Sequence, residues 1–324
     1  MFRMAAFLGL VGLAIATGVI VWSGFAQVTE ALGQAGWGIV LVALFHFVPL
    51  VISSVGWRVL VPGKSRPSLS MFVYFMWVRA AVNNLMPVAR VGGEIASVRL
   101  MTAFGMRKST AIAITVVELT LSIAALFLFV VIGVILFALR VSDHSVVTQL
   151  LWGLVLSLPL LAALAAVQKI GFFGLLSRLF RVLFRDKWAT MVGNAARLDR
   201  AVAAIYRRKG RALACAVWQF VGWGLGSVEI WLALTFLGHP LPLVEAVMIE
   251  ALIQGSTSAA FAVPGALGVQ EAGFLVFGGM LGLPREVAAA LAVIRRCRDL
   301  ICYAPALVAW QVFEGKRLLR RGQG

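Results

Sequence analysis

Charge is scarce in this chain. Only 13% of its 324 residues are charged, against 61% hydrophobic, where a soluble domain carries about a quarter charged and about half apolar. That balance, with a mean hydropathy of +0.97, excludes an ordinary soluble domain. Cysteine and histidine are equally sparse, at three each. Cys215, Cys297 and Cys302 all lie in apolar runs, so they read as small packing residues rather than a disulfide framework. His46, His144 and His239 are too scattered for a metal site, and no metal or other cofactor is expected. No Ser/His/Asp or Cys/His set can be assembled for nucleophilic catalysis. "VPGKS" ends like a phosphate-binding loop, but Gly56 lies seven residues before Gly63 rather than five, so transport driven by an ATPase of its own is not expected.

What remains is hydrophobic length. Runs above about 18 apolar residues suffice to cross roughly 30 Å of hydrocarbon. Full spans are expected at about 5–23, 37–59, 110–139, 148–167, 212–237 and 287–312. The first imitates a secretory signal, with a small-x-small ending at Gly24 and Ala26. Its apolar core of about 18 residues exceeds the usual 7–15, which favours a retained span.

Two regions break the pattern. Residues 69–104 are apolar but interrupted by Arg79, Asn83, Asn84, Pro87, Arg90, Glu94 and Arg99, and residues 243–283 contain "FAVPGALGVQE". Each has an apolar run, a break (Pro87, Gly92 and Gly93; Pro264, Gly265 and Gly268) and a second short run. Irregular backbone at membrane depth survives only when buried in protein or lining a wet cavity. Two re-entrant helical hairpins are therefore expected. In the second, Glu271 opens the returning helix, where a negative charge suits the helix N-terminus.

The formal charge of +16 does not point to nucleic acid, because the basic residues collect in loops and at the C-terminus. With both termini inside, residues 168–211 fall inside and hold eleven Lys/Arg against two Asp. The loops assigned outside are nearly free of Lys and Arg. That one-sidedness requires each hairpin to contribute an even number of crossings. Within the basic stretch, residues 171–208 place Arg178, Arg181 and Arg185 at helical spacing among apolar residues. An amphipathic anchor on the anionic inner leaflet is expected there.

The two odd regions also resemble each other. Pro87 and Pro264 each precede a glutamate by seven residues, Glu94 and Glu271, and each glutamate precedes a glycine by eleven, Gly105 and Gly282. All three pairs share an offset of 177 residues, whereas chance predicts about 0.3 such Pro/Glu pairings in the chain. Three spans separate the copies, so they point oppositely across the membrane. The fold expected is thus an all-α polytopic membrane protein of about six spans and two hairpins in an inverted repeat. It forms a single transmembrane domain, 1–324, with halves at about 37–139 and 212–312. Secondary transporters place their substrate sites between such repeats.

Ionisable groups at bilayer depth are functional candidates. "VIRRCRDLI" sets Arg295, Arg296, Arg298 and Asp299 roughly 12 Å into the last span. Asp299 is one turn from Arg295 and Arg296 and is expected to neutralise one of them. Glu271 is expected to serve another. Glu118 stands at the repeat position of Arg295. Either these are fixed ion pairs, or Arg295 and Arg296 meet an anionic headgroup while Glu94 and Glu271 take its cationic part or a proton. Arg90 and Arg99 are the inner-side counterparts. Glu229, Glu245 and Glu250 also lie in or near apolar runs, unranked.

"NNLMPVARVGGE" and "FAVPGALGVQEAGFLVFGGMLGLPREVAAALAVIRRCRDLI" resemble the two signature regions of the lysylphosphatidylglycerol synthase transmembrane-region, or flippase-like, family. "PVARVGGE" and "GVQE" look most like a subgroup associated with hopanoid biosynthesis. The resemblance implies a bacterial inner-membrane protein, and in bifunctional relatives the related region flips an aminoacylated phospholipid between leaflets. The soluble synthase domain of those relatives is not expected here, since the sequence ends just past the last span. Ser97 stands where the resemblance leads one to expect arginine, which leaves Arg99 as the basic residue there. A translocase for a polar or charged lipid, phospholipid or hopanoid derivative, is the leading expectation, and an enzyme is not expected. The competing class is a non-transporting scaffold or accessory subunit for lipid-biosynthetic enzymes. An embedded transferase using Glu94 or Glu271 as base is a weaker third.

Overall fold

The computed structural model describes residues 25–61, 66–86, 92–141, 144–170, 189–260, 263 and 266–321. Among them every regular element is helical. In chain order these are α1 (Phe25–Ala35), α2 (Gly38–Phe45), α3 (Phe47–Val59), α4 (Leu69–Leu85), α5 (Gly92–Ala103) and α6 (Lys108–Arg140). Then follow α7 (His144–Ile170), α8 (Ala189–Tyr206), α9 (Lys209–Phe236), α10 (Leu243–Ala259), α11 (Val269–Met280) and α12 (Arg285–Arg321). Helices satisfy every backbone group within one segment, which is what a chain this apolar requires.

Three stretches, Gly38–Val59, Lys108–Arg140 and Lys209–Phe236, are long and apolar enough to cross a membrane. The chain is a helical, multi-pass membrane protein. The α12 helix is longer still at 37 residues, about 55 Å, but the charges between Arg295 and Asp299 interrupt its apolar character. The expected first span, 5–23, lies outside the described residues. So do Pro87, Arg90, Pro264 and Gly265, and the arginines Arg178, Arg181 and Arg185.

The expected span at 37–59 is two helices that meet at His46. Pro49 has no N–H to give the carbonyl of Phe45, so the ladder loosens there. Gly92 and Gly93 were expected at the first break. They form the first turn of α5, because Gly93 lets that turn press on α4. A Cβ on Gly93 would collide with the carbonyl oxygen of Arg79 and the amide of Asn83. Its N–H donates to Asn83 Oδ1 at 2.8 Å. Gly268, by contrast, is the N-cap of α11 with φ of +80°, a conformation that glycine adopts without strain. Its N–H donates to Glu271 Oε2 at 2.8 Å, so the glutamate closes the cap that it opens.

Helix boundaries repeat along the chain. Helices α5 and α11 each have 12 residues and begin at 92 and 269, and α6 and α12 begin at 108 and 285. Both intervals are the 177 residues that separate Glu94 from Glu271. Gly105 and Gly282, after the paired short helices, both have positive φ, +91° and +86°. Helices α4 and α10 have 17 residues each.

Packing divides about these pairs. Helices α4 and α5 pack on each other, as do α10 and α11, while α12 lies along α4 and α11 and α6 along α5 and α10. One apolar core joins Phe137, Leu234, Ile249, Phe274 and Leu291. A second joins Trp57, Phe72, Phe75, Leu100 and Ile114. Helix α8, the described part of the basic segment, buries Val202 and Ile205 in this second core and packs on α6 and α9. That half of the expected leaflet anchor is thus held by protein.

Candidate functional site

A cavity of about 290 Å³ is walled by α3, α4, α6, α9, α10 and α12, by His46 and by Gln270 at the start of α11. Three guanidiniums reach it, and each is held by carboxylates on other helices or beside it.

In the α4–α5 pair, Arg79 of α4 donates from Nε to Glu94 Oε1 of α5 at 3.0 Å and from Nη1 to Glu118 Oε2 of α6. Its Cζ sits 5.2 Å from the ring centroid of Trp57, where the face of the indole favours a cation. Gln219 Nε2 of α9 donates to the other oxygen of Glu118 at 2.9 Å. Asn83 Nδ2 reaches both oxygens of Glu94 at 3.3 Å.

Helices α10 and α12 repeat this contact with the charges exchanged. Glu250 of α10 accepts from Nη2 of Arg295 of α12 at 2.9 Å and from its Nη1, and Gln254 Nε2 adds a bond at 2.6 Å. Glu118 and Arg295 are 177 residues apart, so the same position on the long helix presents an anion in one half and a cation in the other. Arg296 leaves the opposite way, donating from Nε to Glu271 Oε1 at 2.7 Å.

A third cluster ties α9, α12 and the α2–α3 joint. Arg298 donates to Asp299 Oδ1 from Nε at 3.1 Å and from Nη2 at 2.5 Å, and from Nη1 to Glu229. His46 Nδ1 donates to Glu229 Oε1 at 2.9 Å, and its Nε2 meets the Tyr303 hydroxyl at 2.6 Å. The hydrogen-bonded pairs explain how charges survive here, since a buried charge requires a partner and satisfied lone pairs.

Of the residues expected from the sequence, Glu118, Arg295 and Asp299 line the cavity. Glu94 and Glu271 stand behind it as partners of Arg79 and Arg296. Asp299 does not neutralise Arg295 or Arg296, as helix spacing implied. It serves Arg298, because Arg295 and Arg296 fan out to carboxylates on α10 and α11. Arg99 does not belong to the cavity wall. Its side chain is 60% exposed and reaches Glu314 at 3.4 Å. Sequence reasoning missed Arg79, Glu229, Glu250, His46 and Tyr303 as members of one site. The signal present was each charge alone in an apolar run, and it named no partner. Among the described residues no group of His, Cys, Asp and Glu is arranged to hold a metal ion.

Comparison with curated proteins and with solved structures finds no match. The family description of the lysylphosphatidylglycerol synthase transmembrane region matches residues 9–306. With nearly its whole length covered, and with apolar helices arranged around a charged cavity, this chain belongs to the lysylphosphatidylglycerol synthase transmembrane-region family.

Proposed function

We propose that this protein is a lipid translocase of a bacterial inner membrane, moving a polar lipid, phospholipid or hopanoid derivative, between leaflets without chemical change. In this reading α4–α5 and α10–α11 are re-entrant hairpins that enter from opposite sides, and about six spans surround them. One observation carries it. A chain of this hydrophobicity holds a cavity walled by three guanidiniums and four carboxylates. Placing them there costs desolvation that a purely apolar packing core would avoid. A headgroup lodged in that cavity exchanges water for fixed polar partners while its tails stay in lipid.

The test is leaflet exchange in proteoliposomes that carry headgroup-labelled lipids. Exchange is expected with the native chain and a fall of about tenfold or more with Arg295→Ala or Glu271→Gln, the scale of losing one charged contact. Exchange indifferent to both substitutions removes the cavity from the pathway. No exchange of any lipid favours the scaffold reading instead, and a lipid whose mass changes marks an embedded transferase.

A further inference from the structure

The cavity's ion pairs bear on what kind of headgroup it takes, given the reading that a lipid headgroup enters it. Each guanidinium in the wall is already held by at least one carboxylate. Arg79 has Glu94 and Glu118, Arg295 has both oxygens of Glu250, and Arg298 has Glu229 and Asp299. In the wall itself Arg79, Arg295 and Arg298 face Glu118, Glu229, Glu250 and Asp299. A phosphate drawn to any of these guanidiniums, even to the unpartnered Nε of Arg295, would lie beside the carboxylate already held there. Like charges at such distances repel strongly. The anion-binding role expected of Arg295 and Arg296 therefore has no free cation behind it.

The polar atoms left over are a mixture of acceptors and donors. Among the described hydrogen bonds, the amide nitrogens of Asn84 and Gln254 are engaged, by Ala80 O and Glu250, while their carbonyl oxygens accept nothing. Asp299 uses only Oδ1. Buried Gln270 offers the reverse, an Nε2 without an acceptor, and so does Arg295, whose Nε has none although both its Nη atoms are held by Glu250. All five residues line the cavity, so unused acceptors and unused donors share its wall. A hydroxyl both gives and takes a hydrogen bond and suits that mixture. An ammonium gives only, and a phosphate takes only. Trp223 in the same wall adds an apolar face of the sort that C–H groups of a polyol pack against.

We infer that the cavity is a binding site for an uncharged, hydroxyl-rich headgroup, a polyol or sugar, with Asn84, Gln254, Gln270 and Asp299 as its hydrogen-bonding residues. Native mass spectrometry of the full chain in detergent tests this with four lipids of identical tails. These are a monoglycosyl diacylglycerol, phosphatidylethanolamine, phosphatidic acid and phosphatidylmethanol. The glycolipid is expected to be retained at least about tenfold better than the other three, since a site built for hydroxyls penalises ligands that leave its groups unpaired. Asn84→Leu and Gln254→Leu, which keep all the ion pairs, are each expected to remove most of that preference.

Equal retention of all four lipids, no retention of any, or tighter binding of phosphatidic acid overturns the inference. Tighter phosphatidylethanolamine overturns it in favour of an ammonium site. Glycolipid preference unchanged in both variants also overturns it, as a site elsewhere. Binding is read without transport. Preferential retention without leaflet exchange therefore leaves the headgroup class standing and removes the translocase. Exchange without the preference does the opposite.

Discussion

Replacing Arg295 by methionine is the sharpest probe of the charge network. Both Nη atoms of Arg295 grip Glu250, which is 2% exposed. Without the guanidinium, Gln254 Nε2 at 2.6 Å is the remaining described donor to that carboxylate. Removing one member of a buried pair costs about 3–5 kcal/mol, because the other is left uncompensated. Removing both, as in Arg295→Met with Glu250→Met, is expected to be neutral or to stabilise by about 1–4 kcal/mol. The two substitutions thus couple by several kcal/mol, far outside the additivity of independent sites. Arg99→Met is the control. Its exposed pair with Glu314 at 3.4 Å contributes about 0–1 kcal/mol. Equilibrium unfolding in mixed detergent micelles measures the native chain, Arg295→Met, Glu250→Met, the double variant and the Arg99→Met control. An Arg295→Met protein within about 1 kcal/mol of native, or a double variant as unstable as the single one, refutes the argument that the buried pair is interdependent.

Three further outcomes are expected. Gly93→Ala drives a Cβ into the Arg79 carbonyl and Asn83, destabilising by about 1–3 kcal/mol in the same unfolding measurement. Gly268→Ala forces alanine to φ of +80° at the cap of α11, at a cost of about 1 kcal/mol. It should loosen the Glu271 cap, read as faster hydrogen exchange at the start of α11. Cysteines at Arg107 and Arg285, which flank the starts of α6 and α12, should be labelled by a membrane-impermeant thiol reagent from opposite faces, inside and outside respectively. Labelling from one face removes the inverted arrangement.

Much of the helical plan was legible because its cause is local. Hydrophobic length demands helices, and prolines and glycines mark where they stop, so α6 and α9 begin and end within a few residues of expectation. The 177-residue interval from Glu94 to Glu271 and from Gly105 to Gly282 reappears as equal helix starts, since these residues open helices or turn the chain between them. The joint at His46 was not anticipated, although Pro49 was its visible cause. The site was legible only as a set of costly charges. Glu229, Glu250 and Arg79 stood out as ionisable residues in apolar runs, but a run does not say which helix face meets which.

The sequence by itself determined that this chain is helical and spans a membrane. It determined that two segments break, and that Glu94 and Glu271 open the helices after the breaks. Those properties follow from hydrophobicity and backbone chemistry within a dozen residues. Tertiary structure alone decided that Arg79 faces Glu118 while Glu250 faces Arg295, that Asp299 serves Arg298, and that Arg99 lies outside. Ion-pair partners 39 to 69 residues apart are chosen by how helices pack. The same packing turned arginines that looked free to bind an anion into arginines already bound.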